Sequence, residues 1–131
     1  MVFKGFDSIY LMTTNRCNLR CDYCYESNRS GDMDFETSKS AIDWLRSEGK
    51  SGRWKHVTFF GGEPLLKPEL IRKTIEYSIK SDNPIDKFSI LSNGTVWNND
   101  IKDTLEYMKD NCPQSKNSSH FPVLSIDCST N

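Results

Sequence analysis

The chain has 131 residues, 36% hydrophobic and 27% charged, with a mean hydropathy of -0.64. That length suits one domain rather than two independent cores. Charges nearly cancel, 17 Lys and Arg against 18 Asp and Glu for a net -1, and neither sign gathers into a block. A basic nucleic-acid face and a polybasic membrane anchor are therefore excluded, and no apolar run reaches the ~18 residues of a membrane span. Residues 1–10 show no signal-peptide h-region with a small-residue cleavage site, so the expectation is a cytoplasmic protein.

The first segment with strand character is Ile9 to Met12, short and apolar. Directly after it come Cys17, Cys21 and Cys24, a C-x3-C-x2-C run that holds three of the five cysteines. An odd count with three thiols in eight positions does not fit a secreted disulfide framework. Three convergent thiolates suit a metal centre. A structural zinc site would need a distant fourth ligand from Cys112, Cys128, His56 or His120. A cubane cluster with one iron left open needs none, and ligand type alone does not separate the two.

A first helix is expected from Asp34, an N-cap residue, with Phe35, Ala41, Ile42 and Leu45 on one face and a stop before Gly49. The second strand is Val57 to Phe60, followed by Gly61-Gly62-Glu63-Pro64. The second helix has Pro68 in its first turn and an apolar stripe of Leu70, Ile71, Ile75 and Ile79, ending at Asp82-Asn83-Pro84. The third strand, Phe88 to Leu91, leads into Ser92-Asn93-Gly94-Thr95. A third helix opens near Asn99, repeats Ile101, Leu105 and Met108, and cannot pass Pro113. After a polar stretch, Asn111 to His120, the fourth strand is Val123 to Ile126, with Asp127 and Cys128 behind it.

The order βαβαβαβ predicts an α/β fold with a parallel sheet. Ligand sites in such sheets gather at the carboxyl ends of the strands. Every unusual group in the chain follows a strand, so all are expected on one rim.

These residues resemble the radical S-adenosylmethionine (SAM) superfamily. The resemblance rests on Thr13-Thr14-Asn15-Arg16-Cys17-Asn18-Leu19-Arg20-Cys21-Asp22-Tyr23-Cys24-Tyr25 and on Phe59-Phe60-Gly61-Gly62-Glu63-Pro64-Leu65-Leu66, the family's GGEP element. Ser92-Asn93-Gly94-Thr95 resembles the third-strand Thr-Asn-Gly-Thr, and Leu124-Ser125-Ile126-Asp127 the fourth-strand Ser-Ile-Asp-Gly of SPASM-type peptide and protein maturases. The fold implied is an incomplete (β/α) partial barrel.

The resemblance implies that Cys17, Cys21 and Cys24 bind three irons of a [4Fe-4S] cluster whose fourth iron takes SAM. Electron transfer would split SAM into methionine and a 5'-deoxyadenosyl radical that takes a hydrogen atom from the substrate. Tyr23 would lie near the adenine, and the Gly61-Gly62 backbone with Glu63 would receive the SAM ammonium. Ser125 and Asp127 would approach the ribose or carboxylate, with Ser92 and Asn93 lining the same pocket. Also implied are an electron donor such as flavodoxin or ferredoxin and a peptide, protein or small-molecule substrate, with no nucleic-acid or membrane partner. Cys128 departs from the pattern, because the maturases carry Gly there.

Simpler readings compete at several positions. Asn93-Gly94 alone would suggest a hairpin turn. Tyr23 and Tyr25 could simply pack the cysteine loop, and Glu63 could be an ordinary strand-end carboxylate. His56 and His120 read as surface residues, Trp44 and Trp54 as packing residues, and Cys112 as a bystander. A closed eight-unit barrel takes about 250 residues, some 30 per unit. Residues 1–131 therefore read as the N-terminal portion of a radical SAM core, truncated or naturally short. Alternatives are a non-catalytic module that binds cluster and SAM, and a structural zinc protein.

Overall fold

The computed structural model describes residues 7–20, 31–48, 55–80 and 84–111, together with the backbone of 124–126. Four strands, β1 (Ser8–Thr14), β2 (His56–Gly61), β3 (Lys87–Ser92) and β4 (Leu124–Ile126), alternate with α1 (Phe35–Glu48), α2 (Pro68–Ile79) and α3 (Asn99–Asn111). A single 3-10 turn, Pro64–Leu66, joins β2 to α2. All strand pairs are parallel and the sheet order is β1-β2-β3-β4. The expected strands are present, each extended by one or two residues except the fourth, which starts at Leu124.

Helix starts follow local chemistry. The Asp34 carboxylate accepts the Thr37 backbone N–H at 2.7 Å, the N-cap anticipated for α1. That same bond holds the Asp34 carboxyl below its ordinary value. For α3 the capping side chain is Asn98, whose Oδ1 accepts the Ile101 N–H at 2.9 Å. Pro68 opens α2, where its missing N–H costs nothing.

A sheet whose strands run in sequence order, with crossovers of one hand, receives all its helices on one face. That face carries Leu11 of β1, Val57 and Phe59 of β2, and Phe88 and Ile90 of β3, all buried. They pack in one cluster with Ile42 and Leu45 of α1, Ile71 and Ile75 of α2, and Ile101 and Met108 of α3. Phe59 and Phe88 stack with ring centroids 6.3 Å apart. Arg46 of α1 reaches across to the last turn of α2, donating to the Tyr77 and Ser78 carbonyls at 3.0 and 2.8 Å.

The opposite face of the sheet is only partly covered. Tyr10 is 64% exposed and Leu91 39%, and Tyr10 meets Phe60 edge to face across this uncovered surface. At its amino-terminal end lies His56, half-buried rather than a surface residue. Its Nε2 is 2.8 Å from Ser89 Oγ, and burial together with the Lys87 charge pushes its pKa down. Trp44 is 44% exposed on α1. Among the described residues no helix is long and apolar enough to cross a membrane.

Candidate cluster and cofactor site

The carboxyl ends of β1, β2 and β3 lie side by side, and the motif residues meet there. Thr14 ends β1, Gly61 ends β2 and Ser92 ends β3, and the three ends are tied by more than the sheet ladder. The Gly62 N–H donates to the Thr14 carbonyl (2.9 Å), and the Glu63 N–H to the Arg16 carbonyl (2.8 Å). The chain leading to Cys17 is thereby stitched along its backbone to the GGEP element.

This close approach explains the two glycines. A Cβ on Gly61, whose φ is +145°, would stand 2.2 Å from the Thr14 carbonyl oxygen. On Gly62 it would stand 2.2 Å from the Arg16 carbonyl oxygen. The space the sequence suggested for a ligand's approach is taken first by the chain's own strand end.

Glu63 is fully buried. Its Oε1 accepts the Leu65 N–H and the Ser92 hydroxyl, both at 2.9 Å, and its Oε2 accepts the Asn93 N–H at 2.8 Å. Every partner is a donor, so the carboxyl group serves as acceptor in all three bonds. The side chain expected to meet an ammonium group is thus engaged by donors of the protein itself. Ser92, expected in the cofactor pocket, is buried with its hydroxyl turned to Glu63, and it accepts the Gly94 N–H at 3.0 Å. Gly94 has φ +72° and turns the chain away toward α3, so Asn93-Gly94 is no hairpin here.

Asn93 faces the cysteine loop. Its Nδ2 lies 3.7 Å from Cys17 Sγ and 3.0 Å from Asn18 Oδ1. Cys17 Sγ also accepts the Leu19 N–H at 3.4 Å. The half-buried sulfur is a free thiol ringed by N–H donors, an environment suited to a thiolate ligand of iron. On that chemistry Cys17 fits the role of one thiolate ligand of a cluster.

Cys21, Cys24 and Tyr23 lie outside the described residues, as do Cys112, Asp127 and Cys128. Among the described residues no three His, Cys, Asp or Glu side chains converge on a point. Ser125 sits mid-strand in β4, paired with Leu91, one strand beyond Ser92.

The neck of the cysteine loop is closed by Thr13 to Arg16 of the motif stretch together with Gly31 to Met33 and Lys67, which no motif announces. Thr14 and Asp32 form an antiparallel bridge. The Asn15 N–H donates to the Gly31 carbonyl (2.8 Å) and the Met33 N–H to the Thr13 carbonyl (2.9 Å). The Asp32 carboxylate accepts the Thr14 hydroxyl at 2.7 Å and a forked pair from Arg16, Nε at 3.0 Å and a terminal nitrogen at 2.8 Å. Lys67 Nζ stands 3.3 Å away on the other side. The Thr14 hydrogen bond is the largest cause lowering the Asp32 pKa to about 2, opposed by burial and aided by Arg16 and Lys67. The nearest sequence signal for Asp32 was its place just before the α1 cap. Asn18 and Thr95 were inside recognised motifs, but only the fold reveals that they meet: Asn18 Nδ2 donates to Thr95 Oγ1 at 2.7 Å.

A separate cleft of about 350 Å³ opens between the amino ends of the three helices, lined by Phe35, Leu66, Leu70 and Lys73 among others. It touches neither Cys17 nor Asn93, and the chemistry-bearing groups lie on the strand rim instead.

Against this geometry, the sequence pattern of the radical SAM superfamily matches residues 11–123. The chain belongs to the radical SAM superfamily. An uncharacterized protein of Methanocaldococcus jannaschii is 39% identical over 106 residues, covering 78% of this chain and 35% of the relative. A probable GTP 3',8-cyclase of Methanopyrus kandleri is 33% identical over 92 residues, 68% of this chain and 27% of the relative. The radical SAM cyclopropyl synthase TigE of Paramaledivibacter caminithermalis is 25% identical over 118 residues, 78% of this chain and 24% of that protein. This radical SAM chain thus spans about a quarter to a third of the length of these relatives.

Two predictions follow from the geometry. Glu63→Ala strips two buried donors and a part-buried one of their acceptor and should cost about 3 kcal/mol or more in urea unfolding of the apo chain. A loss under 1 kcal/mol would deny the carboxylate its organising role. Because the Asp32 pKa is depressed when folded, its contribution is full above the ordinary value of 3.8 and fades as pH falls toward about 2. The melting temperature of the wild-type apo chain should therefore exceed that of Asp32→Asn at pH 6. The two should converge between pH 4 and 2, whereas a constant gap would contradict the assignment.

Proposed function

We propose that the chain holds a [4Fe-4S] cluster through Cys17, Cys21 and Cys24, binds SAM at the remaining iron, and serves hydrogen abstraction from a substrate. When bound, cluster and SAM supply the electron and the scissile carbon–sulfur bond from which a 5'-deoxyadenosyl radical is released. The observation that supports this most is the setting of Cys17: a half-buried sulfur among N–H donors, beside a GGEP element tied to its loop by backbone bonds.

On this reading the chain's residues divide the work. Cys17, Cys21 and Cys24 ligate, and the Gly61-Gly62 backbone borders the methionine end of SAM. Tyr23 lies beside the adenine, and Ser125 and Asp127 serve the ribose or carboxylate. Glu63 and Ser92 act behind that surface, holding the ends of β2 and β3 together. The electron comes from a donor such as flavodoxin or ferredoxin. The exposed sheet face bearing Tyr10 and Leu91 is where a substrate would have access.

The substrate we favour is a peptide or protein, following the Ser125-Ile126-Asp127 resemblance to maturases. The GTP 3',8-cyclases among the relatives favour a second reading, a nucleotide substrate.

Anaerobic reconstitution with iron and sulfide tests the proposal. About four irons per chain and an EPR signal altered by SAM are expected, and Cys17→Ala should abolish both. Tight binding of one zinc without cluster uptake would contradict it. Formation of 5'-deoxyadenosine after reduction separates an enzyme from a non-catalytic binder, and a yield raised by GTP would favour the nucleotide reading.

A further inference from the structure

Asn93 is held at its backbone N–H and at both ends of its side-chain amide. Its backbone N–H is fixed by the buried Glu63 carboxylate (2.8 Å). Its side-chain Oδ1 accepts both the Thr95 N–H (3.0 Å) and the Thr95 hydroxyl (2.8 Å). The Thr95 hydroxyl in turn accepts from Asn18 Nδ2, and Asn18 Oδ1 accepts from Asn93 Nδ2. This closed ring of donors and acceptors settles which end of the amide is which. A backbone N–H can only donate, so the atom facing Thr95 is oxygen and the atom facing Cys17 is the NH2 group. One N–H of that group serves Asn18, and the other points to Cys17 Sγ at 3.7 Å.

Resting on the cluster reading above, we propose that Asn93 is a positioning residue for Cys17. Its amide donates to the Cys17 thiolate, fixes that ligand's orientation, and makes the cluster easier to reduce. A hydrogen bond to a thiolate offsets negative charge on sulfur. The reduced cluster carries one more negative charge than the oxidised one, so the donor favours the reduced form. No covalent step is involved. The ring with Asn18 and Thr95, together with the Glu63 bond to the backbone, gives the donor a set direction in advance, so little reorganises when the electron arrives. The arrangement also joins three strand ends: Asn93 after β3, Cys17 after β1, and Glu63 after β2.

The test is the reduction midpoint of the reconstituted chain, followed by absorption and EPR, in wild type, Asn93→Leu and Asn93→Asp. Asn93→Asp keeps the acceptor for Thr95 while replacing the donor to sulfur with a negative oxygen. Both variants should have lower midpoints, the reduced-to-oxidised ratio at a fixed poise falling about tenfold for Leu and further for Asp. Lower iron per chain with an unchanged unfolding transition of the apo chain also supports the role. Midpoint and iron content equal to wild type overturn it and leave the cluster reading standing. Failure of both variants to fold makes Asn93 a fold determinant and overturns it as well. A wild-type chain that takes up no cluster removes the reading beneath it.

Discussion

The structure turns on one buried carboxylate. Glu63 has no exposed surface, and a charge so placed is tolerable only where its lone pairs are filled. The donors that fill them come from two places: Leu65 in the turn after β2, and Ser92 with Asn93 at the end of β3. They are available together only when the ends of β2 and β3 are adjacent and in register. The same residue's N–H reaches the Arg16 carbonyl, so the end of β1 is drawn into the arrangement. Three loops that carry the chemistry are thus referred to a single group.

The rest of the fold supplies the setting in which that group works. A sheet wound in sequence order puts every strand's carboxyl end on one rim and every helix on one face. The rim gathers Cys17 and Asn18, the GGEP turn and the Ser92–Thr95 turn. The other face keeps Tyr10 and Leu91 uncovered. A loop as long as the cysteine segment would be entropically costly to hold in place by its ligands alone. Its neck is closed beforehand by the Thr14–Asp32 bridge and by the Arg16 and Lys67 charges on Asp32. Exposed ion pairs contribute little individually, but two cations and a hydroxyl on one carboxylate form a network rather than a pair.

Much of this was legible in the sequence. Alternating apolar segments and helical stripes marked every described strand and helix, because burial against one core imposes those periods. Asp34 and Pro68 marked helix starts through backbone chemistry that is purely local. The motif residues announced the rim, since parallel topology alone places strand ends together. What the sequence hid is tertiary. A Gly-Gly pair reads equally as room for a ligand or room for a neighbouring strand, and here the Thr14 and Arg16 carbonyls occupy it. Glu63 reads as a ligand-facing charge until Ser92 and Asn93 are seen to claim it. Asp32 belongs to no motif, and its importance comes from Thr14, Arg16 and Lys67, all of them far away in sequence. His56 looked like a surface residue because its partial cover comes from Ser89 on the neighbouring strand, a contact that nothing local announces.

On the proposed cluster reading, Glu63 fixes the Asn93 backbone N–H and would act on Cys17 and the cluster only through Asn93. A double-mutant cycle of Glu63→Gln and Asn93→Leu, read as the reduction midpoint of the reconstituted chain, tests it most directly. If Glu63 works through Asn93, the double variant should have the midpoint of Asn93→Leu alone, because the donor that Glu63 positions is already gone. Shifts that simply add would mean that the two residues act on the cluster independently, and would contradict the account.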